Sequence, residues 1–171
     1  MKIYNPLFLV AIGLFSTTYS QAAIQTVTLD WGNAVEINSA FISYRKDYEP
    51  DSTRRIITLS VSHSKNGAQR FYISSYNTDS NDRCNTYSRP DTSTMNFNGQ
   101  AVKMDRFCIK FADSNNTYYS YTPATDKGHL FVINLFKTST ARIELTFDGD
   151  ALYVPVQGFT KIWNSAGGNA I

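Results

Sequence analysis

Hydrophobic and polar residues alternate with a period of two along much of the chain. Val27, Leu29 and Trp31 alternate with Thr28 and Asp30, and Ile57, Leu59 and Val61 with Thr58, Ser60 and Ser62. Ile143, Leu145 and Phe147 alternate with Glu144 and Thr146. Successive side chains of a strand point to opposite faces, so this pattern predicts half-buried strands with one wet face. Leu130-Phe131-Val132-Ile133, followed by Leu135-Phe136, is nearly continuous in apolar character. It reads as a central strand covered on both sides. No convincing run of helical period is found; a short helix near 137–141 is compatible with the pattern.

Turn chemistry points the same way. Asn66-Gly67 separates 56–62 from 70–74, Asn98-Gly99 separates 95–97 from 101–104, and Asp148-Gly149 separates 142–147 from 151–156. Gly32-Asn33 separates 25–31 from 34–37. Each dipeptide supplies the positive φ that tight hairpins require. Four such signals predict an antiparallel all-β architecture: a β-sandwich built from hairpins, with about eight to ten strands. A closed eight-stranded β-barrel is the alternative.

The first residues carry a different pattern. Lys2 precedes the unbroken apolar run Leu7 to Phe15, and Ser20-Gln21-Ala22 is a small-x-small cleavage signature. Residues 1–22 therefore read as a secretory signal peptide, and 23–171 as a single all-β domain. The run is shorter than the roughly 20 residues that span a bilayer, so no membrane span is expected. Export makes the compartment periplasmic or secreted. Cys84 and Cys108, the two cysteines of the chain, are then expected to form a disulfide. Phe107, Ile109 and Phe111 share one face of a strand-like run, while Arg106, Cys108 and Lys110 share the other. The bridge is expected to staple a long polar loop onto that second, polar side.

Composition narrows the function classes. The chain has 171 residues, 14% aromatic and 18% charged, with a formal net charge of +2. This balance excludes a strongly basic nucleic-acid binder, and the aromatic content excludes general disorder. Two polar stretches stand out, 44–55 with its dense charges and 76–94 with its Asn, Asp, Ser, Thr and Tyr. Loops of such length in a compact domain are often functional.

The chain offers no recognisable catalytic constellation. There is no Gly-x-Ser-x-Gly elbow. His63 and His129 lie 66 positions apart without ligand-like spacing. Asp79-Ser80-Asn81 and Asp113-Ser114-Asn115 open like calcium loops but lack the glycine that completes one. Asp148 and Asp150 flank a hairpin glycine and read as turn formers. No metal site, catalytic residue or cofactor is therefore expected. The suggestive feature is aromatic: Tyr118, Tyr119 and Tyr121 lie among Ser, Thr and Asn, and Tyr76, Arg83, Tyr87 and Arg89 lie in the polar stretch that holds Cys84. Tyr beside small polar residues gives rigid, amphipathic contact area with adaptable hydrogen bonds. The bland alternative is that Tyr119 and Tyr121 fill a core face. The expectation is an exported, non-enzymatic binding protein that recognises another macromolecule, with a periplasmic protein partner favoured, such as the target of an inhibitor or immunity protein. A small secreted hydrolase whose carboxylates converge in space, and a carbohydrate-binding or structural surface subunit, are the alternatives.

Overall fold

The computed structural model describes residues 24–32, 38–46, 54–78 and 84–168. The expected signal peptide lies outside the described residues. Nine strands form one antiparallel sheet: β1 (Ile24–Leu29), β2 (Ser39–Arg45), β3 (Arg55–His63), β4 (Gln69–Asn77), β5 (Asp91–Phe97), β6 (Gln100–Lys110), β7 (Thr117–Pro123), β8 (Ile143–Phe147) and β9 (Asp150–Val154). Two helices, α1 (Asp126–Thr138) and α2 (Phe159–Ser165), complete the described elements. The strand order is β1-β2-β3-β4-β7-β6-β5-β8-β9. The antiparallel all-β class is thus as the hairpin signals predict. The strands share a single hydrogen-bonded sheet, which curls into a nearly closed barrel. Contacts between its two ends draw the curl together: the Trp31 indole donates to the Pro155 carbonyl at 3.0 Å, and Lys46, just after β2, reaches Asp150 at the start of β9.

Local chemistry explains the hairpins. Asn98 and Gly99 have φ of 48° and 81°, and Asp148 and Gly149 have 50° and 80°. Positive φ at both central residues matches the strand twist in a two-residue turn. The β3–β4 turn is longer, with Gly67 at φ 76°. The first hairpin departs from expectation. The partner of β1 is β2, which begins at Ser39, with Leu29 opposite Phe41; residues 33–37 lie outside the described residues. Strand β1 is an edge strand with a register shift between Gln25 and Val27, and Val27 is exposed. A bulge on an edge re-aims side chains in this way.

The stretch 130–136 is not a strand. It belongs to α1, and Leu130 is 60% exposed while Val132, Ile133 and Phe136 are buried. The buried positions keep a helical spacing of i, i+1 and i+4. A short apolar run does not distinguish a covered strand from a buried helix by periodicity alone. The deciding signals lie at its ends. The Thr125 hydroxyl caps the helix by accepting from the Gly128 amide at 3.1 Å, Asp126 sits in the first turn and Lys137 in the last. The helix ends at Thr138, so the short helix expected over 137–141 is only its last turn.

The two helices plug one end of the barrel. Trp31, Phe71, Phe136 and Phe159 form a ring cluster with centroids 5.0 to 6.3 Å apart. Such pairs contribute about 0.5–1.5 kcal/mol beyond their area burial. Gly158, at φ 89°, lies so close to Trp31 that an added Cβ would stand 2.8 Å from its carbonyl oxygen; only glycine fits. The interior between the ends is filled by inward positions of the strands, including Ile42, Ile57, Leu59, Ile73, Met95, Met104, Leu145 and Leu152.

Cys84 and Cys108 are bonded, with Cα atoms 5.7 Å apart. The crosslink indicates folding in an oxidising environment. No helix among the described residues is long and apolar enough to cross a membrane. Reduction is expected to lower unfolding free energy by about 3–4 kcal/mol, the loop-closure value for a span of this length. Urea titrations with and without dithiothreitol, followed by circular dichroism, measure it. A second expectation concerns the plugged end. Burial holds the His129 imidazole below its ordinary value of 6.5, Arg70 adds to the effect, and Asp126 opposes it. The neutral ring therefore contributes stability above pH 6.5 that is lost as pH falls through the depressed value. His129→Phe, which keeps a ring against Trp163, is expected to flatten the fall in urea midpoint between about pH 7 and about pH 5.

Candidate functional site

The barrel's other end is polar and open. Strand pairing shows which residues share it: Arg55 lies opposite Asn77, Asp91 opposite Arg106, Lys110 opposite Thr117, and Phe147 opposite Asp150. The chain connections 46–54 and 78–90 both leave and re-enter the sheet at this end. These are the two polar stretches that stood out in the sequence. The antiparallel topology brings the strand ends that flank them, Arg45, Arg55, Asn77 and Asp91, to one end of the sheet.

A cavity of about 490 Å³ opens here, lined by residues from β3, β4, β5, β6, β7 and β8. Arg106 is its organising cation. The guanidinium makes a two-point fork on Asp91, with Nε 2.7 Å from Oδ1 and Nη2 donating to Oδ2. Its Cζ lies 4.7 Å from the centre of the Tyr119 ring, and it also reaches the Tyr121 hydroxyl. Planar, delocalised charge suits this combination of fork and stack, which lysine would not reproduce. The fork holds the Asp91 carboxyl below its ordinary value and raises Arg106 further. Burial pushes the Tyr121 phenol up to about 12, against the opposing charge of Arg106. The Tyr121 ring meets Phe147 edge-on at 5.3 Å.

A second charged group sits behind the first. Lys46 Nζ is 3.3 Å from the Asp150 carboxylate and 4.0 Å from that of Asp148. Arg55 Nη1 is 3.9 Å from Asp148. Tyr44 is almost fully buried, and desolvation followed by the charge of Asp150 raises its phenol well above the ordinary range. Burial raises Asp150 as well, with Lys46 pulling the other way. Asp148 has the turn role read from the sequence; Asp150 is in addition a buried partner of Lys46.

The residues singled out in the sequence divide among three places. Tyr119 and Tyr121 line the cavity. Tyr76 and Tyr118 border the same cavity, and their rings pack on Phe111, with centroids 5.1 and 4.6 Å away, in a shallow groove on the outward face that also includes Ile109. Tyr87 is 95% exposed on the crosslinked loop, and Arg89 is exposed near it. Arg83 lies outside the described residues. The disulfide holds Cys84 at the foot of β7, where its amide donates to Thr117 Oγ1 at 3.0 Å and Thr117 donates back to its carbonyl.

Composition missed Tyr44, Lys46, Arg55, Asp91 and Arg106. The available signal was parity. Val102 and Met104 are buried, and Arg106 and Cys108 continue the same alternation, so the polar side of β6 is its inward side. Ile109 and Phe111, the apolar-looking side, are partly exposed on the outside. Among the described residues no group of three or more His, Cys, Asp and Glu is arranged to hold a metal ion. The search of protein-family models, curated proteins and solved structures gives no match to this chain.

Arg106→Gln is expected to return the Asp91 carboxyl toward its ordinary value of 3.8 and to shift the Tyr119 ring resonances, with the strand spectrum retained. Because the pairing lowers the Asp91 value, its stabilisation is present above pH 3.8 and lost as pH falls through the lowered value; the variant lacks that step. A carboxyl-detected NMR titration of both proteins reads the difference.

Proposed function

We propose that this chain is an exported, non-enzymatic binding protein that engages another macromolecule end-on, through the open end of the barrel. One observation carries the reading: the strand ends that flank both long polar connections, the Cys84–Cys108 crosslink and the polar cavity lie at the same end. The opposite end is filled by helices and rings. Recognition residues on loops held by a rigid scaffold are a common solution, and a pinned loop loses less entropy when it binds. The proposed compartment is the periplasm, in keeping with the leader pattern and the crosslink. The crosslinked polar loop and the Tyr-rich segment, read from the sequence, favour a protein partner. The cavity adds a second feature, because an end-on partner has room to place a group of matching size inside it.

The test compares the two ends. The oxidised protein is immobilised and exposed to envelope extract, and captured material is quantified for the unaltered chain, for Tyr87→Ala with Arg89→Ala at the open end, and for Leu130→Ser at the plugged end. The expected result is at least a tenfold loss of capture for the open-end pair and none for Leu130→Ser. Equal capture by all three overturns the end-on reading.

A further inference from the structure

We propose that the cavity binds a neutral sugar unit, so that the macromolecule engaged end-on is a glycan; this rests on the end-on reading and names its ligand. Three observations support it.

The first is the state of the charges. Each ionic side chain at the cavity has an opposite charge beside it: Arg106 on Asp91, Lys46 between Asp150 and Asp148, and Arg55 near Asp148. A phosphate, carboxylate or ammonium guest would have to compete with a partner already in place. Such exchange recovers little of the desolvation cost of a new charge. A neutral guest leaves every pair intact.

The second is the polar surface that lies between these pairs. Ser75, Asn77, Ser93 and Tyr119 bring hydroxyl and amide groups to the lining. Ser93 Oγ is buried and has no hydrogen-bond partner among the described residues. A buried hydroxyl without a partner carries its desolvation cost, and Ser93 turned toward the cavity would recover it on a ligand hydroxyl. Hydroxyls both donate and accept, so a wall of them matches a ligand built of hydroxyls. A purely apolar guest would leave Ser93 as it is.

The third is shape and aromaticity. Tyr119, Tyr121 and Phe147 supply rings to the same cavity. The negative face of an aromatic ring attracts the C–H groups on the flat side of a pyranose, while the sugar's rim reaches the polar wall. The volume of about 490 Å³ falls within the range of roughly 300–1,000 Å³ typical of small-molecule sites. Charges paired in place, hydroxyl groups and aromatic rings in one lining together describe a sugar subsite.

The experiment uses the unaltered, oxidised protein first. Its Tyr ring resonances are followed by NMR as neutral trisaccharides of glucose, galactose, mannose and N-acetylglucosamine are added separately, alongside glucuronate and glucose 6-phosphate. Saturable shifts at Tyr119 and Tyr121 with at least one neutral trisaccharide are expected. The affinity should change less than twofold between low salt and about 0.5 M salt, since no ion pair forms with the ligand. Tyr119→Ala should weaken binding at least tenfold, and Leu130→Ser should not change it. No shift with any neutral saccharide, or shifts only with the two anionic probes, overturns the inference. If the saccharides are silent while the Tyr87 and Arg89 variant still loses capture from extract, the sugar assignment falls and the end-on reading stands, with a protein as partner. If capture is equal at both ends and the saccharides are silent, both fall.

Discussion

A sheet that curls on itself encloses a space that must be filled or hydrated, and this protein does one at each end. At the first end two helices lower Val132, Ile133, Phe136, Phe159 and Ile162 into the opening, where Trp31 and Phe71 meet them. Protein interiors reach the density of organic crystals, and rings of this size close a barrel mouth with few residues. At the second end Tyr119, Tyr121 and Phe147 are joined on the inward face by charge: β3, β6 and β9 place Arg55, Arg106 and Asp150 where a core would otherwise continue. That space stays wet and charged. The contrast between the ends gives the molecule a polarity along the barrel, and the site follows from it.

Ionic groups at a barrel mouth must be held in place if they are to shape a site. Asp91 fixes Arg106 through two hydrogen bonds, and the Tyr119 ring supports its plane. Asp150 is held by Lys46. Each charged group is thus oriented by a neighbour on an adjoining strand or hairpin, and the strands themselves are rigid. Sites built on strands and locked by a second set of contacts keep their geometry better than sites on loops. The disulfide acts on the loop instead, tying Cys84 to β6 beside the cavity and limiting how far the connection after β4 can stray.

Much of the strand framework was legible because its signals are local. The Asn98-Gly99 and Asp148-Gly149 turns need positive φ, and dipeptides of that kind announce it. The alternation in β3 and β8 follows from side chains pointing to opposite faces. Helix α1 was misread because a seven-position apolar stretch carries too little periodicity, and its identity rests on the Thr125 cap. The site was legible only in part. Tyr119 and Tyr121 attracted attention as tyrosines among small polar residues. Arg106 did not, since a cation on an alternating strand looks like the solvent side until the burial of Met104 fixes which side faces in.

The order of residues alone determined the antiparallel class, the hairpin turns, the pairing of two cysteines and the near balance of charge, because each depends on neighbours in sequence or on composition. Tertiary structure decided which end of the barrel is plugged, which face of β6 is interior, and that Arg55, Asn77 and Ser93, at the described flanks of the two polar stretches, line one cavity. Those outcomes depend on strand order and curl. They are set by contacts between residues far apart in the chain, such as Trp31 with Pro155 and Lys46 with Asp150, which no local pattern encodes.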